Sequence, residues 1–429
     1  MSFKAKVISL FINLRFQRIR HANNLKKLQA KRWKKLQTTL LQSEYYRKFA
    51  LKNGSLADYP LMNKQLFMKH FNEINTRSIN REQAFEIALK AESSRDFSSM
   101  INGVTVGLSS GTSGNRGIFL ATEDERAQWV ACVLDRVIGF SLKKRSVAFF
   151  LRANSNLYDS VKSKVLRFEF FDLLEQVQLQ IDRLNKLNPE ILVAQPSLLL
   201  ELAGYKEKGD LLINPEKIIS VAEVLTSEDN ERLEDSFGQT IHQVYQCTEG
   251  MLAATCKCGT LHFNEDFLII EKKYLDETNT RFHPIITDLI RTTQPVIRYE
   301  LNDIVHEKQN CPCGSKMMGI AQIEGRSDDV LRFTSKDNKE IKIYPDFFRR
   351  AIIVSNASIR DYTLVQINAN ELQLYLDNDE AIFASAKESI EKMLRSNHIH
   401  DVRILRSIRK HQEKGNKLRR IRNDYWKAD

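Results

Sequence analysis

A chain of 429 residues, 42% apolar and 28% charged, has the length of two or three domains and the composition of a soluble globular protein. No apolar run approaches the roughly 20 residues of a membrane span. The short apolar start, Val7 to Leu14, ends at Arg15 without a small-residue cleavage site, so no secretory signal is expected and the cytoplasm is the expected compartment.

The net charge of +11 is local. Residues 1–36 hold eleven Lys/Arg and no acid, and the remaining 54 basic and 54 acidic residues balance. The basicity is therefore a property of an N-terminal arm, and no nucleic-acid partner is expected from it. Leu25, Leu28, Trp33, Leu36, Leu40 and Leu41 recur at helical spacing, so residues 1–50 read as a basic helical arm. A solvated face is the first reading of its charge, and peripheral contact with an anionic membrane or partner is the second.

Beyond Pro60, the Met62-Asn63-Lys64 stretch turns into a short helix ending near Phe71, and Glu82 to Glu92 reads as another. The β-branched run Ile101–Val106 and the apolar run Ile118–Ala121 read as strands flanking Gly107–Gly117, which holds four of the chain's 16 glycines and four hydroxyl side chains. Glycines bring backbone N–H groups close to a ligand, and hydroxyls add donors, so this loop suits phosphate. It lacks the Gly-Lys-Ser/Thr of a P-loop and the Gly-x-Gly-x-x-Gly of a dinucleotide fold. The alternative is a flexible Ser/Gly surface loop.

Thr122 followed by Glu123-Asp124-Glu125 caps a helix expected to reach about Phe140. Short apolar strands (Val147–Leu151, Pro189–Ala194, Ile218–Val221, Ile241–Tyr245) then alternate with helices (Leu173–Leu187, from Pro196, from Thr226). That alternation predicts α/β layers with mostly parallel sheet, whose ligands bind at the carboxyl ends of strands. Gly107–Gly117, Glu223 and Tyr245–Glu249 occupy such ends. From about residue 256 to 325 strand-like segments replace the alternation, and Gly325–Asp329 reads as a polar linker. The last hundred residues read as a small α+β unit.

Several stretches carry chemistry. A carboxylate at Glu249, beside a phosphate loop, calls for a cation, and Mg²⁺ held by carboxylate and substrate phosphates is the usual arrangement. Asp303 stands after a β-rich run, where it could accept both hydroxyls of a ribose diol. Arg326 offers a fixed guanidinium at the linker, and the basic stretch Lys414–Arg420 a flexible lysine for a polyphosphate. Cys256-x-Cys258-x-x-x-His262 and Cys311-Pro-Cys313 form two knuckles about 50 residues apart, which suits one tetrahedral zinc with five candidates for four places. Free buried thiols are the alternative.

In this order the features resemble the adenylate-forming enzymes, which include acyl- and aryl-coenzyme A ligases, luciferases and peptide-synthetase adenylation domains. The resemblance runs from Leu36 to Asn423 and is strongest to the short branch of phenylacetate–coenzyme A ligase and the capsule-biosynthesis and deazaflavin-coenzyme synthetases. Ser110-Gly111-Thr112-Ser113-Gly114 looks like that family's phosphate loop, and Tyr245–Glu249 its Tyr-x-x-Thr-Glu motif. Ile297-Arg298-Tyr299 with Asp303 resembles its Arg-Tyr-Arg-Thr-Gly-Asp motif. Gly325-Arg326-x-Asp-Asp resembles its hinge, and Gly-x-Lys417-x-Arg its late lysine.

The resemblance implies an α/β fold: a large multi-layer N-terminal domain with parallel sheets and a β-rich subdomain (51–325, with a zinc knuckle at 256–313) and a small mobile α+β lid (326–429). It implies ATP-dependent activation of a small carboxylic acid to an adenylate, pyrophosphate release, and transfer to coenzyme A or an acyl-carrier thiol. An amide- or ester-forming synthetase and a non-catalytic zinc-stabilised nucleotide-binding protein are the alternatives. By position, Ser109–Gly114 would hold pyrophosphate, Tyr245 lie against adenine, and Thr248 with Glu249 place Mg²⁺. Glu223 would join the cofactor site, Asp303 with Arg326 bind ribose, and Lys417 bridge carboxylate and α-phosphate. The branch's zinc pattern favours Cys256, His262, Cys311 and Cys313, with Cys258 as substitute.

The sequence departs from the pattern in three places. Arg116 stands near where a loop lysine is frequent, Asn302 replaces the glycine before the ribose Asp, and Glu300-Leu301 replaces Arg-Thr. The acid pocket is expected along Phe149–Tyr158 and Ser220–Glu223.

Overall fold

The computed structural model describes residues 1–52, 54–94, 100–109, 116–139, 141, 143–151, 166–173, 175–334, 340–356, 358–359, 361–408 and 418–426. They form two compact units: Met1–Leu301 with Val305–Ile323, and Asn302–Ile304 with Glu324–Asp429.

The first unit opens with α1 (Phe3–Arg20), α2 (Leu25–Leu40) and α3 (Glu44–Ala50), each capped at its N-terminus by a side chain: Ser2, Asn24 and Ser43. These helices are not a free arm. Val7, Phe11, Leu14, Leu36, Leu40 and Tyr46 belong to the main core. Then follow α4 (Lys64–Lys69), α5 (Phe71–Ile74) and α6 (Arg81–Ser94).

A three-stranded antiparallel sheet comes next: β1 (Met100–Ile101), β2 (Val104–Leu108) and β3 (Ile118–Ala121). The run read as one strand from Ile101 is broken by Asn102-Gly103, both at positive φ (49° and 75°), which turn β1 into β2 as a two-residue hairpin. β2 and β3 pair from Thr105↔Ala121 to Leu108↔Ile118, so the glycine-rich stretch joins two hydrogen-bonded strands. Gly107 faces Phe119 across that pair. A Cβ there would stand 2.3 Å from the Phe119 ring, so glycine is what lets the ring lie across the strand.

α7 (Glu123–Val133) begins at the expected capping box of Thr122 with Glu125 and runs on as a π-helical turn, Leu134–Ile138. The large sheet then builds from β4 (Arg145–Leu151), β5 (Leu166–Asp172), β6 (Ile191–Ala194), β7 (Lys217–Ser220) and β8 (Ile241–Cys247), all parallel in the order β5-β4-β6-β7-β8. β5 is not among the expected strands: Leu166–Asp172 mixes aromatic and charged residues, and the sequence pattern marks only a helix from Leu173. The helix itself starts at Val177. The connecting helices Val177–Leu187, Pro196–Glu207 and Ser227–Phe237 bury leucines against a second core cluster with Phe150 and Phe171.

At β8 the sheet turns antiparallel through β9 (Gly250–Thr255), β10 (Leu261–Phe263), β15 (Gly319–Arg326), β14 (Asp303–Lys308), β12 (Arg281–Asp288) and β11 (Leu268–Tyr274), with β13 (Tyr299–Glu300) against β12. This is the expected change of character after residue 256.

The second unit has a two-stranded sheet, β16 (Leu331–Thr334) with β17 (Glu340–Ile343), and a four-stranded sheet ordered β20 (Arg403–Arg406), β19 (Glu371–Leu376), β18 (Tyr362–Asn368), β21 (Ile421–Asn423). Helices Pro345–Ser355 and Glu380–Ser396 share one core with them, centred on Phe348, Leu364, Leu374 and Ile390. β16 and β21 are not among the strands expected from the sequence. Among the described residues no helix is long and apolar enough to cross a membrane.

Candidate active site

β8 and β9 pair Cys247 with Gly250, so Thr248 and Glu249 are the two tip residues of a tight hairpin at the carboxyl end of β8. The Thr248 hydroxyl donates to Glu249 Oε2 at 2.9 Å. Gly250 admits a close neighbour: its Cβ position lies 3.1 Å from a carboxylate oxygen of Asp288.

Asp288 is buried and accepts the N–H groups of Ile290 and Arg291 at 2.9 and 3.1 Å. Burial pushes its carboxyl up to about 6 against those hydrogen bonds. Glu125, from the α7 capping box, holds the same loop by accepting from Thr292 N (2.7 Å) and Thr293 N (2.8 Å). So anchored, Arg291 donates to the Thr248 carbonyl at 2.5 Å and to Gln294 at 3.0 Å. The Gln294 amide in turn bridges Ile118 O and Leu120 N of β3, both at 3.2 Å. The end of the glycine-rich hairpin and the Thr248-Glu249 tip are thereby tied to one loop.

Tyr299 closes the other side. Its hydroxyl is hydrogen-bonded to Glu249, and burial first, then the Glu249 charge, raises its pKa. Arg298, the preceding motif residue, is a structural post. Its backbone is left-handed (φ 44°), its guanidinium meets Glu271 at 2.9–3.2 Å, and it donates to the carbonyls of Ala57 and Tyr59. Met62 exchanges backbone hydrogen bonds with Arg298 O and Glu300 N (2.9 and 2.8 Å). That contact delivers Lys64, which the sequence reading did not select. Lys64, Phe67, Gly117, Ile118, Thr248, Glu249, Arg291, Gln294 and Tyr299 line a single pocket.

Ser109 accepts from Gly117 N through its hydroxyl (2.7 Å) and donates its own N–H to Gly117 O (2.8 Å), pinching the base of the glycine stretch. Ser110, Gly111, Thr112, Ser113 and Gly114 lie outside the described residues, as does Lys417. Arg116 is bound by Glu92 in a two-pronged contact at 2.6 and 3.0 Å, and Lys64 lines the pocket beside Gly117.

Tyr245 sits half-buried on β8, its ring 6.3 Å from Phe263. Glu223 follows Ala222, which takes φ 70°, and accepts from Ser197 N at 3.2 Å, capping the helix that starts at Pro196. Much of the expected acid-pocket segment, residues 152–158, lies outside the described residues. In the second unit Arg326 Nε stands 3.6 Å from Asp303 Oδ1, so that predicted pair is together. Asn302 donates its amide to Asp328 at 3.0 Å, and Arg419 donates to the buried Asp329.

The cysteines converge. The ligand atoms of Cys256, His262, Cys311 and Cys313 lie within 4.8 Å of one another. Cys256 Sγ to Cys311 Sγ is 3.7 Å, and Cys313 Sγ to His262 Nε2 is 3.4 Å. Thiolates about 2.3 Å from a tetrahedral zinc stand about 3.8 Å apart, and a sulfur and an imidazole nitrogen about 3.6 Å, so these two separations match such a site. His262 Nδ1 lies 2.9 Å from Met317 O, which fixes the tautomer that leaves Nε2 for a metal. Cys258 is exposed and outside the four; its backbone N–H donates to Cys256 Sγ.

No family model matches the chain. Over 167 residues it is 28% identical to Protein CapK of Staphylococcus aureus, a stretch covering 38% of this chain and 37% of that one, so the match spans little more than a third of CapK. The fold is much more widely shared. A 2-hydroxyisobutyryl-CoA ligase in its postadenylation state superposes with a TM-score of 0.60 at 16% identity, over 98% of this chain and 89% of that one. An anthranilate CoA ligase bound to anthranoyl-AMP scores 0.52 at 12% identity (73% and 65% covered). The amide bond synthetase McbA from Marinactinospora thermotolerans scores 0.51 at 11% (73% and 66% covered). The chain therefore has the fold of the adenylate-forming ligases.

Proposed function

We propose that the protein is an ATP-dependent ligase that activates a small carboxylic acid as its acyl- or aryl-adenylate and then passes the acyl group to coenzyme A or a carrier thiol. The observation that carries this reading is the pocket in which Thr248, Glu249, Lys64 and Arg291 meet the base of the glycine-rich hairpin. A carboxylate lining the same pocket as Lys64 and Arg291 suits Mg²⁺ brought in with a polyphosphate.

In the first half-reaction the substrate carboxylate oxygen attacks the α-phosphorus, and the bond to the β-phosphate oxygen breaks, releasing pyrophosphate. Ser109–Gly114 and Lys64 hold the departing phosphates. Glu249, oriented by Thr248 and Tyr299, holds Mg²⁺, which neutralises phosphate charge when bound. Tyr245 lies against adenine, Asp303 and Arg326 hold ribose, and Lys417 bridges the carboxylate and α-phosphate. Glu223 helps shape the strand end between acid and nucleotide. In the second half-reaction a thiolate attacks the acyl carbon and AMP leaves. This chemistry needs positioning and charge neutralisation rather than a protein nucleophile.

Residues 51–325 supply the nucleotide and acyl sites and residues 326–429 the lid. Cys256, His262, Cys311 and Cys313 hold a structural Zn²⁺. Amide formation from the same adenylate is the second reading, favoured by the likeness to McbA. Carboxylate-dependent incorporation of labelled pyrophosphate into ATP, screened over a panel of acids, tests adenylation. Supplying coenzyme A or amines to the active acid then separates the two acceptors.

A further inference from the structure

α1 has two apolar faces. Val7, Phe11 and Leu14 point into the core, and the helix packs along α7, where Lys6 meets Glu123 and Asp124, and Arg18 meets Asp135 at 2.8 Å. The acids beside the helix are thus taken up on its packed side. The outer face carries Ile8, Ile12, Phe16 and Ile19, stepping by four, four and three residues into one stripe, each 56–67% exposed. Lys4 and Arg15 edge the stripe on one side and Arg20 on the other, all exposed, with the Arg20 guanidinium 6.0 Å from the Phe16 ring centre. Beyond the turn, α2 adds exposed Lys26, Lys27, Lys31, Lys34 and Lys35. His21, at that turn, has its pKa lowered by desolvation and by Arg20, Lys27, Lys31 and Arg32, so the positive field of both helices converges there.

We infer that the outer face of α1 docks the protein on an anionic lipid surface, with the Ile8–Ile12–Phe16–Ile19 stripe entering the headgroup boundary and the basic margins contacting lipid phosphates. An apolar stripe with basic flanks is the pattern of a helix lying in the interface plane. A second copy is a poor occupant: a two-fold contact sets the same patch against itself, and residues 1–36 carry eleven positive charges and no negative one. This inference does not rest on the ligase reading.

The test is co-sedimentation of the full-length protein with vesicles of phosphatidylcholine alone or mixed with phosphatidylglycerol. Partition is expected into the mixed vesicles only, weakening as salt rises. Ile12→Glu with Phe16→Glu is expected to abolish it. Lys4→Gln with Arg15→Gln and Arg20→Gln is expected to lower it on the order of a hundredfold, with the thermal unfolding midpoint unchanged in both. Should the first pair destabilise the chain, the charge variant decides alone. No partition into anionic vesicles, or equal partition into neutral ones, would overturn the inference. So would a solution dimer that dissociates on Ile12→Glu, because it would assign the face to a second copy.

Discussion

Arg291 reaches the carbonyl of Thr248 at 2.5 Å with one guanidinium nitrogen and Gln294 at 3.0 Å with the other. Through this one side chain the hairpin tip that carries Glu249 is registered against the strand that leaves the glycine-rich stretch. Arg291→Met keeps the bulk and removes both bonds. It is expected to lower the pyrophosphate exchange rate about a hundredfold, because misplacing a catalytic group by an ångström costs that order. Circular dichroism should remain that of the parent. An unchanged exchange rate would remove Arg291 from the site.

Lys64 tests the part of the pocket that no motif announced. On the proposed reading its loss removes a charge-assisted contact to phosphate, worth about 1.5–3 kcal/mol, or roughly ten- to a hundredfold in affinity. Lys64→Ala is expected to raise the KM for ATP by that factor with a smaller effect on the KM for the acid. Lys64→Arg should recover part of it. Equal effects on both substrates would point to a structural role.

The capping box at Thr122–Glu125 and the strand–helix alternation were legible because they are local: a hydroxyl three residues before a carboxylate, or an apolar run of strand length, specifies its element without the rest of the chain. Lys64 and Arg291 were not legible, because they reach the pocket through long-range contacts. Lys64 is placed by the pairing of Met62 with Tyr299, and Arg291 by Asp288 and by Glu125 of a different helix. Arg298 is identified by its motif alone, and only the fold reveals that Glu271 and two carbonyls occupy it. The resemblance favours Cys256, His262, Cys311 and Cys313, and the fold brings these four together while leaving Cys258 exposed.

Asp288 gives a pH signature. Its folded pKa, about 6, lies above the unfolded value near 3.8, so the folded state binds this proton more tightly. The associated stability is fully present below pH 3.8 and is lost as pH rises through 6, on the order of 2–3 kcal/mol at most. Asp288→Asn retains a side-chain oxygen for the N–H groups of Ile290 and Arg291. It is expected to flatten the stability profile between those two pH values in urea titrations. A profile as steep as the parent's would assign the proton elsewhere.

For the metal cluster, Cys313→Ala is expected to abolish bound zinc and lower the unfolding midpoint by several degrees, whereas Cys258→Ala should retain one equivalent. Elemental analysis of protein purified without added zinc reads the content directly. Metal-free protein with every thiol titratable would contradict the site.

The central claim is adenylation, and carboxylate-dependent ATP–pyrophosphate exchange tests it most directly. The account predicts exchange with at least one acid of a broad panel, dependent on Mg²⁺, and its loss in Lys417→Ala while ATP binding persists. Absence of exchange with every acid, in protein that still binds ATP, would contradict the account and leave a nucleotide-binding protein without turnover.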